Sequence, residues 1–174
     1  LYLASTQIDA SRTMQNDDSL IDSLASLAKK TGFVSQNFSE ATAQALAPLE
    51  PFAAYVITQA IQRYGQNERS LFSFLNARGR NSLSEYEGKI YQLQCCYDYI
   101  YYNFYSYLKE ANADSMQWSS MQVAIERVEG QLWDTKTDLV DAIKLVKAIG
   151  LLNLFGNASF KMSREDTAMY AKTA

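Results

Sequence analysis

The sequence predicts an all-α protein, a multi-helix bundle, and three observations lead there. Only two prolines and seven glycines interrupt 174 residues. Between them, apolar residues return at three- and four-residue steps, which is the period of a helical face. Residues that favour helix ends stand where those patterns start and stop.

Taken in order, the first pattern is Leu20, Ile21, Leu24, Leu27 and Ala28. It is preceded by Asp17-Asp18-Ser19 and closed by Lys29-Lys30-Thr31-Gly32. Acidic residues at the start and basic ones at the end complement the helix dipole, and glycine suits the residue just past the end. Ser39 is placed to cap a short second helix that stops before Pro48. Pro51, whose missing N–H costs nothing in a first turn, opens a third with Phe52, Val56, Ile57, Ala60 and Ile61 on one face and Gly65 at its end.

Leu71, Phe72, Phe74 and Leu75 read as a short, heavily buried helix ending near Asn76 and Gly79. Ser82 or Ser84 is placed to cap the next, with Glu85 and Glu87 in its first turn. From Ile90 a face runs through Leu93, Tyr97, Ile100, Phe104 and Leu108. Seven tyrosines fall between Tyr91 and Tyr107. Such density could serve base stacking on single-stranded nucleic acid, but the basic residues that accompany stacking are sparse there. The expectation is tyrosines whose rings cover the core and whose hydroxyls reach water.

Asp114 or Ser115 begins a helix whose seam is Trp118, Met121, Ile125, Val128 and Leu132, with Leu132 and Trp133 packing where it meets the next. Thr137 is read as the cap of a long helix through Leu139, Val140, Ile143, Val146, Ile149 and Leu152, ending around Phe155-Gly156-Asn157. Ser159-Phe160-Lys161 is a short extended piece, and Ser163-Arg164-Glu165-Asp166 starts a last helix with a capping-box pattern. The reading divides the chain at 1–80 and 81–174. The stretch 137–174 forms either a winged-helix-like unit or an ordinary helical hairpin.

Composition narrows the function. The 48% of hydrophobic residues is enough for a core, and a formal charge of −3 gives no global attraction to phosphate backbones. Cys95 and Cys96 are adjacent, which an ordinary disulfide does not accommodate, so both are read as thiols. The chain has no histidine, and no metal-ligand spacing is present, so no metal site is expected. Serines lack a base and a nucleophile elbow. Asp17-Asp18 and Glu165-Asp166 are acidic residues at helix starts rather than a catalytic pair. No apolar run reaches the roughly eighteen residues of a membrane span, and no signal-peptide pattern opens the chain, so a cytoplasmic setting without membrane contact is expected. Because it opens at Leu1, the chain is read as a piece of a longer polypeptide.

The most distinctive string is Gln66-Asn67-Glu68-Arg69-Ser70-Leu71-Phe72-Ser73-Phe74-Leu75, entered by Leu49-Glu50-Pro51-Phe52-Ala53-Ala54 and a helix with Arg63 near its end. Together these resemble a block in large prokaryotic P-loop ATPases of the AAA and STAND-like kind, several of which are associated with phage resistance. The later Ile143-Lys144-Leu145-Val146-Lys147-Ala148-Ile149-Gly150-Leu151-Leu152-Asn153-Leu154-Phe155, followed by Ser163-Arg164-Glu165, is similar to a second block downstream of the first in the same proteins. Glu50 departs from the family, which carries histidine before the proline, so no histidine role is carried over. No Gly-x-x-x-x-Gly-Lys-Ser/Thr string occurs, and this segment alone has no phosphate-cradling loop for nucleotide hydrolysis.

The resemblance therefore implies a regulatory or lid-type helical segment C-terminal to a nucleotide-binding core, with ATP and Mg bound by the parent protein. Its partners would be that upstream core and further protein partners or effector domains. Within this reading Arg69, and after it Arg63, are candidates to sense nucleotide phosphate, because a permanently charged guanidinium grips phosphate oxygens in pairs. Asn67 stands beside them, with the alternative role of capping the short helix, and Glu68–Arg69 pairing is the structural alternative for the arginine. Arg78 and Arg80 flank Gly79 in a solvated loop. The alternative function is a self-contained helical protein-interaction module, or less strongly a nucleic-acid-binding one using Lys144, Lys147, Lys161 and Arg164.

Overall fold

A computed structural model of the chain describes residues 18–65, 68–76, 79–110 and 113–173. Among them are nine α-helices: α1 (Asp18–Lys30), α2 (Glu40–Ala45), α3 (Pro51–Tyr64), α4 (Glu68–Asn76), α5 (Leu93–Asn103), α6 (Tyr105–Lys109), α7 (Ser115–Glu129), α8 (Lys136–Phe155) and α9 (Arg164–Thr173), with a 3-10 turn at Leu83–Glu85. No sheet forms among the described residues. The nearest approach to one is an isolated parallel bridge between Leu49 and Tyr91, which ties the residues before α3 to those before α5.

The N-terminal helices form where the sequence places them. Helix α1 buries Ile21, Leu24, Ala25, Leu27 and Ala28. It ends in a Schellman motif, with Gly32 N–H donating to Lys29 O at 3.0 Å and Phe33 N–H to Ala28 O at 2.9 Å. Gly32 has φ +71°, and a Cβ there would lie 2.7 Å from the Ser159 carbonyl oxygen. Both the backbone conformation and the close approach of the 157–161 segment require glycine. Ser39 caps α2 by accepting from Thr42 N–H at 3.0 Å. Helix α3 starts at Pro51 and ends at Gly65, burying nine of its residues, from Pro51 to Tyr64.

Helix α4 corrects one expectation. Phe74 and Leu75 are buried, but Phe72 is 59% exposed. A nine-residue helix buries one stripe, and Phe74 and Leu75 occupy it with the partly buried Leu71, which leaves Phe72 about 100° from Leu71 and about 160° from Phe74 around the axis. The 82–87 region also departs from expectation. Ser82 precedes only a 3-10 turn, and the full helix waits until Leu93, after Gln92.

The predicted 90–108 face is preserved in content and split in geometry. Leu93, Tyr97, Ile100 and Leu108 are buried, but Phe104 falls at the junction of α5 and α6 and is partly buried. Tyr91, Tyr97 and Tyr99 are core residues, whereas Tyr102, Tyr105 and Tyr107 are exposed. Tyrosines thus divide between core and surface.

Helices α7 and α8 pack as an antiparallel pair joined by a short turn. Met121 of α7 lies over Gly150 of α8, so closely that a Cβ at residue 150 would be 2.2 Å from the Met121 sulfur. Leu132, expected in the seam, is fully exposed at 104%, because α7 ends at Glu129 and Gly130 turns the chain away. Thr135, rather than Thr137, caps α8, accepting from Asp138 N–H at 3.1 Å. The buried stripe of α8 is Ala148, Leu151, Leu152 and Phe155, with Ile149 on the exposed side.

Between α8 and α9 no strand forms, so the connection is a turn and not a wing. Phe160 inserts edge-on against Phe33 at 5.0 Å, and Lys161 N–H donates to Thr31 O at 2.9 Å. The capping box at α9 is present, with Asp166 in the reciprocal role: Ser163 Oγ accepts from Asp166 N–H at 3.1 Å, and Asp166 Oδ2 accepts from Ser163 N–H at 3.1 Å. One hydrophobic cluster runs from Ile21 through Phe52, Phe74, Ile100 and Leu151 to Tyr170. No helix among the described residues is long and apolar enough to cross a membrane.

Candidate functional site

The arginines of the distinctive block separate by environment. Arg63, in the last turn of α3, donates to Asp114 Oδ2 at 3.0 Å, and its guanidinium carbon stands 4.9 Å from the centre of the Phe155 ring. Tyr64 O–H donates to the same carboxylate oxygen at 2.6 Å and accepts from the Trp118 indole N–H at 3.2 Å. This knot ties the end of α3 to the start of α7 and the end of α8. Burial opposes the Arg63 charge, but the Asp114 contact outweighs it and leaves the guanidinium pKa raised. Burial, reinforced by the Asp114 carboxylate, pushes the Tyr64 phenol well up.

Arg69, by contrast, is exposed in the first turn of α4, three residues before the exposed Phe72. Residues three apart share a helical face, so α4 presents a guanidinium and a phenyl ring together while Phe74 and Leu75 anchor its other side. Asn67 and Arg78 lie outside the described residues. Arg80 is exposed, with its guanidinium 3.9 Å from the centre of the Tyr102 ring.

Two of the basic residues of the C-terminal half are paired with carboxylates. Lys147 pairs with Asp98 at 2.7 Å and stands 5.3 Å from the Tyr97 ring, while Lys144 pairs with Asp141 at 3.1 Å on its own helix. Lys161 and Arg164 are exposed at the approach to α9.

A third constellation was not foreseen. Glu50, one residue before α3, is completely buried. Its Oε1 accepts from Tyr170 O–H at 2.5 Å and from Leu93 N–H at 3.1 Å, while Oε2 has no partner among the described residues. Burial pushes its carboxyl up to about 8 from the ordinary 4.5, with the two hydrogen bonds opposing that rise. The Cys96 thiol beside it is buried, donates to Ala53 O at 3.7 Å and is also pushed well up, mainly by burial. That makes it a poor nucleophile.

Among the described residues no group of three His, Cys, Asp or Glu side chains converges as a cation cage. Toward a nucleotide, the described residues of the block offer a guanidinium and an aromatic ring but no phosphate cradle. These residues therefore fit a contact to a nucleotide held by another unit and do not fit the whole binding site. No family model, curated protein or solved structure matches this chain.

Proposed function

We propose that this helical unit is the regulatory, lid-type portion of a P-loop ATPase of prokaryotic defence, coupling nucleotide state on an upstream core to partner or effector domains. The observation that carries the reading is the outward face of α4. The string that resembles the ATPase block sets Phe74 and Leu75 into the core yet holds Arg69 and Phe72 out to solvent. An exposed cation beside an exposed ring on an anchored helix suits docking against a nucleotide-binding core, where the guanidinium would approach phosphate oxygens. ATP and Mg would be held by the core, and Arg69 would add one contact from outside. Arg63 would act through the α3–α7 knot, orienting the helix that leads into α4.

The test is ATP hydrolysis by the full-length parent protein, wild type against Arg69→Ala, with folding checked by circular dichroism. Lost turnover with the fold intact supports the reading. Absent turnover in the wild type, or an unchanged rate in the variant, overturns it.

A second reading, a self-contained helical protein-interaction module, is favoured by the α7–α8 surface. Met116 is 79% exposed there, beside a groove of about 570 Å³ lined by Met121, Val146, Ile149 and Leu154. The two readings part on the gene: the first requires a P-loop upstream of this segment, and the second requires none. Nucleic-acid binding through Lys144, Lys147, Lys161 and Arg164 would appear as strongly salt-dependent association with DNA. Its absence at low salt would remove that idea.

A further inference from the structure

Glu50 lies where three parts of the chain meet. Its own N–H donates to Tyr91 O at 3.2 Å, and Tyr91 N–H donates to Pro48 O at 2.7 Å, so the backbone before α3 is fastened to the backbone before α5. Its side chain reaches Leu93 N–H in the first turn of α5 and Tyr170 O–H in the last turns of α9. Helix α9 is otherwise lightly held. Asp166 and Tyr170 are its buried residues. Lys30 pairs with Asp166 at 2.6 Å from an exposed position, Gln92 donates to Thr173 O at 2.9 Å, and the Tyr170 ring meets Phe52 edge-on at 5.5 Å.

The carboxyl group has no protonation state that suits this site fully. Ionised, it places a charge in a dry interior with both donors on Oε1 and none on Oε2. Protonated, it removes the charge, which is the larger cost in an apolar setting, and leaves one hydroxyl without an acceptor. Moving α9 away would admit water to Oε2 and relieve the ionised state.

We propose that the Glu50–Tyr170 contact is a proton-operated latch, closed over α9 when Glu50 carries its proton and opened when the proton is lost. The titratable groups facing Glu50 are Tyr170 from α9 and the Cys96 and Cys95 thiols from α5, all pushed above their ordinary values mainly by burial. The outer pair does not compete: Lys30 holds Asp166 down at about 2, and Asp166 raises Lys30. With no histidine in the chain, Glu50 is the group in this neighbourhood that changes charge near neutrality.

The direction follows from linkage. A carboxyl at 4.5 when released and about 8 when docked stabilises docking fully below the lower value. That stabilisation fades as pH rises between the two, by up to about tenfold in the docked-to-released ratio per pH unit, and changes no further above the upper one. The latch does not depend on the ATPase reading.

Hydrogen-exchange protection factors of α9 in the full chain, corrected for intrinsic rates at each pH, test it. Wild-type protection should fall from pH 5 to pH 8 and then level, and Glu50→Gln should flatten that profile. Tyr170→Phe keeps the ring against Phe52 but removes a donor that favours the carboxylate, so it should move the levelling point to higher pH. It also serves as the second variant if Glu50→Gln fails to fold. A flat wild-type profile, an undiminished slope in Glu50→Gln, or an unmoved levelling point in Tyr170→Phe would each overturn the latch.

Discussion

Phe72 and Phe74 sit two residues apart in α4, and replacing each by alanine should give opposite results. Phe74 is fully buried, with its ring edge-on to Tyr99 at 4.8 Å and to Tyr91 at 5.5 Å. Truncating a core phenylalanine costs about 3–5 kcal/mol, through lost transfer energy and the cavity left behind. Phe72 keeps 59% of its surface in water, so it forfeits less than half of the roughly 1.5–3 kcal/mol that full burial is worth, about 1 kcal/mol or less. At this chain length each kcal/mol moves the melting temperature by about 2–4 °C. Phe74→Ala should therefore melt roughly 6–20 °C lower, and Phe72→Ala no more than about 4 °C lower. Thermal melts followed by circular dichroism read both directly, with urea titration as a second measure. Equal losses, or a larger loss at Phe72, would refute the assignment of the two faces. They would also remove the exposed face on which the functional proposal rests.

Three further outcomes are expected. Gly150→Ala should destabilise by about 1–3 kcal/mol through overpacking against Met121, despite the better helix propensity of alanine; the double variant with Met121→Ala should lose less than the sum of the separate losses, measured by urea titration of the four-member cycle. Tyr64→Phe should cost about 1–2 kcal/mol, because Asp114 loses a donor and the Trp118 indole its acceptor, and urea unfolding checks it. Asp166 is held at about 2 against an ordinary 3.8, so its stabilising contribution is present above the ordinary value and fades as pH falls toward the lower one. Asp166→Asn should flatten that acid limb in urea midpoints taken from neutral pH downward.

Local signals carried the helices whose information is local. The α1 pattern, its Lys29-Lys30 end and Gly32 sufficed because a Schellman ending involves only six consecutive residues. The misreadings arose where two local solutions compete or where the deciding contact is remote. Leu71, Phe74 and Leu75 form an i, i+3, i+4 set that excludes Phe72, so the signal for its exposure was present in the spacing. Thr135 and Thr137 both stand at the start of α8, one just before it and one in its first turn, and Asp138 three residues after Thr135 distinguishes them. Glu50 gave no local sign. A carboxylate before a helix is ordinarily explained by the dipole, and its burial is decided by Tyr170, 120 residues away. Arg63 was legible as a cation near the end of a helix, but its engagement with Asp114 follows from how α3 and α7 come together.

That separation between Glu50 and Tyr170 also orders events during synthesis. Ribosomes add about 5–20 residues per second, so helices α1 to α3 emerge roughly 6–24 seconds before the helix that covers them is complete. Throughout that interval Phe52 lacks the ring of Tyr170, Phe33 lacks Phe160, and the apolar ground between them faces solvent or a chaperone. A nascent chain stalled before residue 160 would display this surface, and release of the last helix from the exit tunnel would end the exposure.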